Sequence, residues 1–560
     1  MAAFDAAQLR MNRMIRTLVR PLIIGALALG LAAQAPAQET MLIDGVEATR
    51  IVIPPARSEL ARIIKAELRD RYYAARPETA EWLAAQKLYF FYAGRRFEPL
   101  WLVETPNGVA YSAAAGKILG VFEDAGYQGF RPADYLTPGI DIGDAGNDPA
   151  RLASVETAFS ASAYLYARHA VGGRIAPGLV SRMITIRPTQ IDPSELLVNL
   201  AAADNPDEML LSLHPTHREF LALREQLARI AAGDVEQLVT IPDGELIKAN
   251  MADARVPLLR ERLNVPFPAT DPLVFDETVR QALISFQESL GLIPDGVVGP
   301  ATVAALNGTH GASAEDVVAN MERWRWLPRD LSAFYVLVNV PEFRLEVHHA
   351  DAVAYSTRVV VGQRTHQTPI FYDEIEHIVV NPYWNVPLSI ASNEIAPLLR
   401  ENPGYLANNN MELLYGGRVI NASSVDWSET SVNNFRIRQR PGAGNALGNI
   451  KFLFPNQHDV YLHDTPSKSL FARSIRAFSH GCIRVQNPMD FADALLEYEP
   501  DLDSAKLAAL FGSSERWVNI ERHVPVYISY FTLRVSEDGT LRTYADINGH
   551  NERLVNLLAR

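Results

Sequence analysis

The most reactive side chain in the sequence is Cys482, the only cysteine among 560 residues. It lies in the run Ser479-His480-Gly481-Cys482-Ile483-Arg484-Val485. With no second cysteine it cannot close an internal disulfide, so it is either an inert stray or a reactive thiol. Its surroundings favour reactivity, because nearby positive charge and backbone N–H groups are expected to lower a thiol's pKa from about 8.5. Gly481 lets the backbone pass close to whatever the thiol attacks. A nucleophile also needs a base, and two histidines are candidates. His480 stands two residues before Cys482, on the same side of an extended backbone. His463 ends the apolar run Val460-Tyr461-Leu462, 19 residues upstream. That gap is long enough for a loop or short helix to bring the two side chains together. Cys482 with either histidine is the minimal device for covalent acyl transfer.

The other parts of such a site can be assigned on residue type. The N–H groups of Gly481 and Cys482 are the expected oxyanion donors, worth about 3–4 kcal/mol in comparable sites. The Tyr461 hydroxyl could reach the same oxygen, and Ser479 would orient the turn. Arg484 would either grip a substrate carboxylate through its fork or close a structural ion pair. Trp384 is expected to wall the cleft, with core packing as its alternative role. A rival chemistry uses His458, His463, His480 and Cys482 as zinc ligands. Paired-ligand spacing and an HExxH motif are both missing, so no metal is expected.

The elements that must position these residues change character along the chain. Over 50–240 the pattern is mainly helical. Leu60, Ile63, Ile64, Leu68 and Tyr72 recur at helical spacing, and Thr216-His217-Arg218-Glu219 reads as a capping box. This part carries no evident chemistry and reads as a scaffold. Over 245–310 a smaller unit follows. Val279, Leu283, Phe286 and Leu290 form one helix face, Gly291 a stop, Asp295-Gly296 a turn, and Pro300 the first residue of the next helix. From 316 to 555 the period becomes two, with Phe334, Val336, Val338 and Val340 alternating with Tyr335, Leu337 and Asn339. Many short strands with Pro and Gly between them predict a β-sandwich or barrel. Between about 396 and 448 the strands are expected to stop. Asn408-Asn409-Asn410, Gly416-Gly417 and Pro441-Gly442-Ala443-Gly444 mark a loop-rich insertion of the kind that forms lids. The glycines there could act as hinges.

Composition limits the partners. The chain is 48% hydrophobic and 21% charged, with a net charge of −13. No long basic run occurs beyond the N-terminus, which argues against nucleic acid. The N-terminus itself carries Arg10, Arg13, Arg16 and Arg20, then 12 apolar residues from Leu22 to Ala33, then two A-x-A patterns. That is the order of an export signal over 1–37. A spanning helix needs about 20 residues, so an uncleaved anchor is the less favoured reading, and no stable membrane span is expected after cleavage. Loss of residues 1–37 would remove four arginines and one aspartate and take the charge to −16.

His463 followed by Ser479-His480-Gly481-Cys482 resembles the signature of the L,D-transpeptidases, which cross-link bacterial peptidoglycan. Asn381-Pro382-Tyr383-Trp384-Asn385-Val386-Pro387 and Arg323-Trp324-Arg325-Trp326-Leu327-Pro328 resemble the large multidomain periplasmic members. So do Phe91 to Trp101 and Gly129 to Tyr135 in the scaffold region. Phe286-Gln287, Asp295-Gly296 and Val298 to Thr302 resemble a peptidoglycan-binding module of three helices. The resemblance implies a β-sandwich catalytic domain with a capping subdomain at the insertion, and His463 as the base. It implies attack by Cys482 on the carbonyl between diaminopimelate and the terminal D-alanine of a tetrapeptide stem. An amine of a second stem would then take the acyl group to form a 3–3 cross-link, with no cofactor. The acceptor could equally be a protein amine or water. A non-catalytic wall-binding protein would account for 245–310 but not for the Cys–His pair.

Overall fold

The computed structural model describes residues 38–560 apart from 44–45, 52, 78, 144–145, 235–238, 240, 243, 269–270, 290–291, 309–312, 351 and 537–538. The export signal read over 1–37 lies outside the described residues, as do Leu290 and the Gly291 stop.

The first half is helical: α1 (Glu59–Ala74), α2 (Ala80–Gly94), α3 (Ala113–Glu123), α4 (Pro149–Gly172) and α5 (Pro193–Ala202). In α1 the helical spacing buries Ile64 and Leu68, and Ser58 Oγ caps the N-terminus by accepting from Ala61 N–H at 3.1 Å. The aromatic run that follows is core: Phe91, Tyr92, Phe97 and Trp101 all pack inside. The α4 residue Glu156 is buried among them. Its carboxylate accepts from Tyr92 Oη at 2.6 Å and from the N–H groups of Leu100, Trp101 and Leu102 at 2.6, 3.0 and 3.2 Å.

The next helix, α6 (Arg218–Ala231), starts differently from the sequence reading. Its cap is His217, not Thr216, with Nδ1 accepting from Glu219 N–H at 3.3 Å. Glu219 cannot complete a capping box because its carboxylate is taken by Arg534 at 2.5 Å. A buried ion pair here outcompetes a local cap. The small middle unit contains α7 (Val256–Arg262), α8 (Glu277–Ser289) and α9 (Pro300–Gly308) around Val279, Leu283, Val298, Val303 and Leu306. Gln287 clasps its turn: Nε2 donates to Asp295 Oδ1 at 3.0 Å and Oε1 accepts from Gly296 N–H at 2.9 Å.

Helix α10 (Ala314–Trp326) leads into the β domain and is buried from Met321 to Trp326. Trp324 stacks between His217 and Phe531, with ring centroids 4.0 and 4.5 Å apart. Phe220, Leu223 and Leu227 of α6 and Val317, Met321 and Trp324 of α10 lie in one continuous core with the β-strands.

Nine strands make the main sheet: β1 (Phe334–Asn339), β2 (Arg344–His349), β3 (Ala352–Gly362), β4 (Phe371–Val380), β9 (Ile450–Leu453), β10 (Leu462–His463), β11 (Ala477–Ser479), β12 (Ile483–Val485) and β13 (Arg516–Ser529). Their order is β11-β3-β12-β10-β9-β4-β13-β1-β2, and β2 pairs back onto β3. Eight strands therefore close into a ring with β11 appended to β3. All six residues of β1 are buried, because the strand is covered on both faces, although its alternation looked one-sided.

The insertion is more ordered than a loop. β5 (Trp384–Asn385), β6 (Met411–Tyr415), β7 (Arg418–Ile420) and β8 (Arg436–Gln439) form a separate sheet in the order β7-β6-β8-β5. Its own core includes Ile395, Leu399, Leu413, Trp427 and Ile437. Gly416 and Gly417, with φ of 56° and 81°, form the two-residue turn between β6 and β7 rather than a hinge. Such a turn needs two positive φ angles.

Four histidines of the helical part and the C-terminus are held neutral by burial. His169 and His217 are pushed down to about 3, His550 to about 4, and His214 well below its ordinary value. In the unfolded chain each takes a proton near pH 6.5. Below that pH the unfolded state binds more protons, so stability present above pH 6.5 is lost as pH falls. The slope is about 1.4 kcal/mol per pH unit for each histidine. Thermal midpoints at pH 7.5, 6.0 and 5.0 should fall monotonically. A flat profile across that range would contradict these assignments.

Candidate active site

Cys482 occupies the bend between β11 and β12, where Gly481 has φ +116°. Ser479 is buried and secures the bend from within. Its Oγ donates to Cys482 O at 2.5 Å and accepts from Gly481 N–H at 3.2 Å. Gly481 O accepts from Thr368 Oγ1 at 2.8 Å, and that same hydroxyl accepts from Gly362 N–H at 2.8 Å. Gln363 N–H donates to Ser479 O at 2.9 Å. The end of β3 and its following loop therefore brace the bend. Thr368 was not singled out from the sequence, because nothing local marks it.

Sheet register places the rest. β10 and β12 run parallel with Leu462 opposite Ile483 and His463 opposite Arg484. Opposed residues share a face and alternate residues return to it, so Tyr461, His463, Cys482 and Arg484 look out together. The row continues: His463 opposes Lys451 on β9, Lys451 opposes Val379 on β4, and Val379 opposes Trp517 on β13. One face thus carries Arg484, His463, Lys451 and Trp517 in line, with Tyr461 and Cys482 beside them.

Within this group Tyr461 acts electrostatically on the sulfur, favouring the thiolate, and its ring meets the His463 ring edge-on at 5.7 Å between centroids. Cys482 Sγ also lies 3.8 Å from Asp459 O. Burial pushes the thiol up to about 11, against the lowering expected from its neighbours; Tyr461 and Arg484 only partly oppose it. The resting site therefore holds a thiol, not a thiolate. His463 is buried and pushed down to about 3 by burial, then by the charges of Arg484 and Lys451. Its Nδ1 lies 2.5 Å from Asp464 O. A backbone carbonyl only accepts, so Nδ1 carries the proton and Nε2 keeps a free lone pair.

Two expectations change. Gly481 N–H is committed to Ser479 and is not a free oxyanion donor. Cys482 N–H has no acceptor among the described residues. His480 points towards the insertion: its Nε2 pairs with Glu394 Oε1 at 2.8 Å, and its ring lies 4.6 Å from that of His366. Glu394 belongs to the π-helical turn Ala391–Ile395, so His480 ties the Cys482 bend to the turn that leads into the insertion. Trp384 packs, half-buried, against the core of the insertion. His458 bonds Thr185 Oγ1 at 2.8 Å. No cluster of three or more His, Cys, Asp or Glu side chains able to hold a metal ion occurs among the described residues.

Gly362 allows the bracing loop to close. A Cβ there would overlap His366 O and Thr368 N, both backbone atoms that cannot step aside cheaply. Gly362→Ala should leave the fold standing but shift Thr368 off Gly481 O. A displacement of about 1 Å at reacting groups costs on the order of a hundredfold in rate. Rates of Cys482 acylation for parent and variant measure this directly, and near-parent rates would show that the brace is dispensable.

Residues 333–509 match the family described as "L,D-transpeptidase catalytic domain", residues 86–227 the "Scaffold domain" and residues 256–306 the "Putative peptidoglycan binding domain". The chain is thus multidomain, and the region that carries Cys482 is the one that matches an L,D-transpeptidase catalytic domain. A "Putative L,D-transpeptidase" of Haemophilus influenzae is 33% identical over 245 residues, which are 43% of this chain and 49% of that protein. The chain thus spans about half the length of the curated relative it matches. Solved structures include L,D-transpeptidases from Xylanimonas cellulosilytica and Stackebrandtia nassauensis. The first is 16% identical and covers 51% of this chain and 98% of its own, with a TM-score of 0.17. The second is 13% identical and covers 52% and 95%, with a TM-score of 0.22. Scores this low carry no argument.

Proposed function

We propose that this protein is an L,D-transpeptidase that joins peptidoglycan stem peptides through a thioester on Cys482, acting in the periplasm. The observation that carries this reading is the strand register that puts a thiol, a neutral histidine with a free Nε2 and an arginine without a protein carboxylate on one sheet face. His463 Nε2 takes the thiol proton as Sγ attacks the carbonyl between diaminopimelate and D-alanine of a tetrapeptide donor. Cys482 N–H, with the Tyr461 hydroxyl, stabilises the oxyanion. D-Alanine departs with the proton from His463, leaving the acyl group on sulfur. A side-chain amine of a second stem, deprotonated by His463, attacks the thioester and restores the thiol, giving a 3–3 cross-link. Arg484 forms no ion pair with a protein carboxylate among the described residues, which supports a substrate carboxylate as its partner. The 256–306 unit would hold the enzyme on its polymeric substrate.

The lid supports transfer over hydrolysis. It reaches the catalytic bend through Glu394 and His480, and closure of such an element excludes water and positions the amine. Mass analysis of muropeptides after incubation with the purified enzyme is the test. Cross-linked dimers joined between two diaminopimelates are expected, with loss of D-alanine from the donor. Tripeptide alone would point to water as acceptor, and unchanged muropeptides would refute the assignment.

A further inference from the structure

Lys451 is a buried cation that the mechanism above leaves unused. It is 8% exposed, and its Nζ donates no hydrogen bond and closes no ion pair among the described residues. Instead the ammonium lies over two aromatic rings, 5.6 Å from the centroid of Tyr461 and 5.9 Å from that of Trp517. Glu515 is the one carboxylate whose charge acts on it. The oxygens of Glu515 are used elsewhere, accepting from Tyr383 N–H at 2.8 Å and Trp517 Nε1 at 3.2 Å. An ammonium largely withdrawn from water without a protein counterion is costly, and this one stands on the active-site face directly opposite His463. On the other side of His463 stands Arg484, also without a protein carboxylate.

We infer that Lys451 binds the terminal carboxylate of the residue that leaves the donor stem. This rests on the reading of Cys482 and His463 given above. In that chemistry the leaving nitrogen must come to His463 to collect its proton. The carboxylate of a C-terminal residue is only two bonds beyond that nitrogen, so it must fall beside a neighbour of His463. Arg484 neighbours both His463 and the nucleophile, on the acyl side. Lys451 neighbours His463 on the side away from the Cys482 strand, where the leaving group goes. A carboxylate there would offset one of the two positive charges that disfavour proton uptake by His463. Seating the correct donor would then ready the base. The subsite makes the enzyme select a stem whose last residue ends in a free carboxylate. Diaminopimelate's own side-chain carboxylate has the same chemistry and is the competing source, left to Arg484.

The experiment follows thioester formation by intact-protein mass at varied donor concentration. Three tetrapeptide donors are used: free acid, C-terminal amide, and the form amidated on the diaminopimelate side chain. The parent enzyme should acylate with the free acid at least about tenfold more efficiently than with the C-terminal amide, the low end for a hydrogen bond between charged groups. Lys451→Met should abolish that preference while keeping the parent's response to side-chain amidation. Lys451→Arg should restore it in part. A parent that does not distinguish the C-terminal amide overturns the inference without any variant. So does a Lys451→Met enzyme that keeps the preference, or one that loses only its response to side-chain amidation. Failure of the parent to form a thioester with any donor would instead overturn the transpeptidase reading.

Discussion

Cys482→Ala should fold like the parent and lose D-alanine release from tetrapeptide stems by at least about 10⁴-fold, the scale on which removal of a nucleophile acts. No second thiol exists to substitute. The fold should survive because the bend is secured by backbone and by Ser479, whose hydroxyl bonds Cys482 O and Gly481 N–H, not the sulfur. The thermal midpoint should therefore move little while the thioester vanishes from the mass spectrum. Release by a well-folded Cys482→Ala enzyme would sink the mechanism.

The raised thiol pKa adds a less obvious result. At about 11 the free enzyme holds roughly one thiolate in ten thousand at pH 7. Alkylation of the resting enzyme should accordingly be slow and should speed up about tenfold per pH unit from 7 to 10. Sequence reasoning pointed the other way, since it counted neighbouring charges and could not count burial. The two histidines should also separate. His463→Ala removes the imidazole whose Nε2 keeps a free lone pair on the thiol's face and should stop acylation. His480 spends its Nε2 on Glu394, so His480→Ala should keep acylation and loosen the lid.

What could be read in advance depended on whether it was local. The nucleophile bend is a contiguous run, so its residues were visible together, and so was the change of hydrophobic period from helical to alternating near residue 316. The three-helix unit was visible because its turn and cap residues, Asp295-Gly296 and Pro300, are local signals. Lys451 and Thr368 were invisible for the opposite reason. They reach the site only through strand pairing and loop closure across long stretches of chain, and neither sits in a motif. Gly416-Gly417 was a local signal for a hairpin that passed for loop punctuation because the flanking runs, five and three residues long, are short. The capping box failed because Glu219 had a stronger partner more than three hundred residues away.

That partner, Arg534, supports the second large prediction. Arg534 on β14 (Leu533–Val535) is buried and meets three carboxylates: Glu219 of α6 at 2.5 Å, and Glu342 and Glu346 at 3.0 Å each. It joins the helix leading out of the scaffold to the β1–β2 hairpin of the sheet. Removing one member of a buried ionic group costs about 3–5 kcal/mol, because the charges left behind are uncompensated. Arg534→Met keeps much of the apolar stem and leaves three carboxylates facing one another, so it should reach at least that range at pH 7.5. The sign of its pH dependence is diagnostic. In the parent, Arg534 and His348 hold the Glu346 carboxyl below its ordinary range against the cost of burial. That contribution is present above about pH 4.5 and is lost as pH falls. In the variant Glu346 keeps only Arg344 at 3.7 Å and His348 at 3.1 Å against its burial, so its pKa rises and the folded state takes up a proton first. The stability deficit of Arg534→Met relative to the parent should therefore shrink between pH 7.5 and pH 5. Urea midpoints for both proteins at the two pH values decide it. A deficit that is small at pH 7.5, or the same at both, would show that the cluster does not hold scaffold and sheet together.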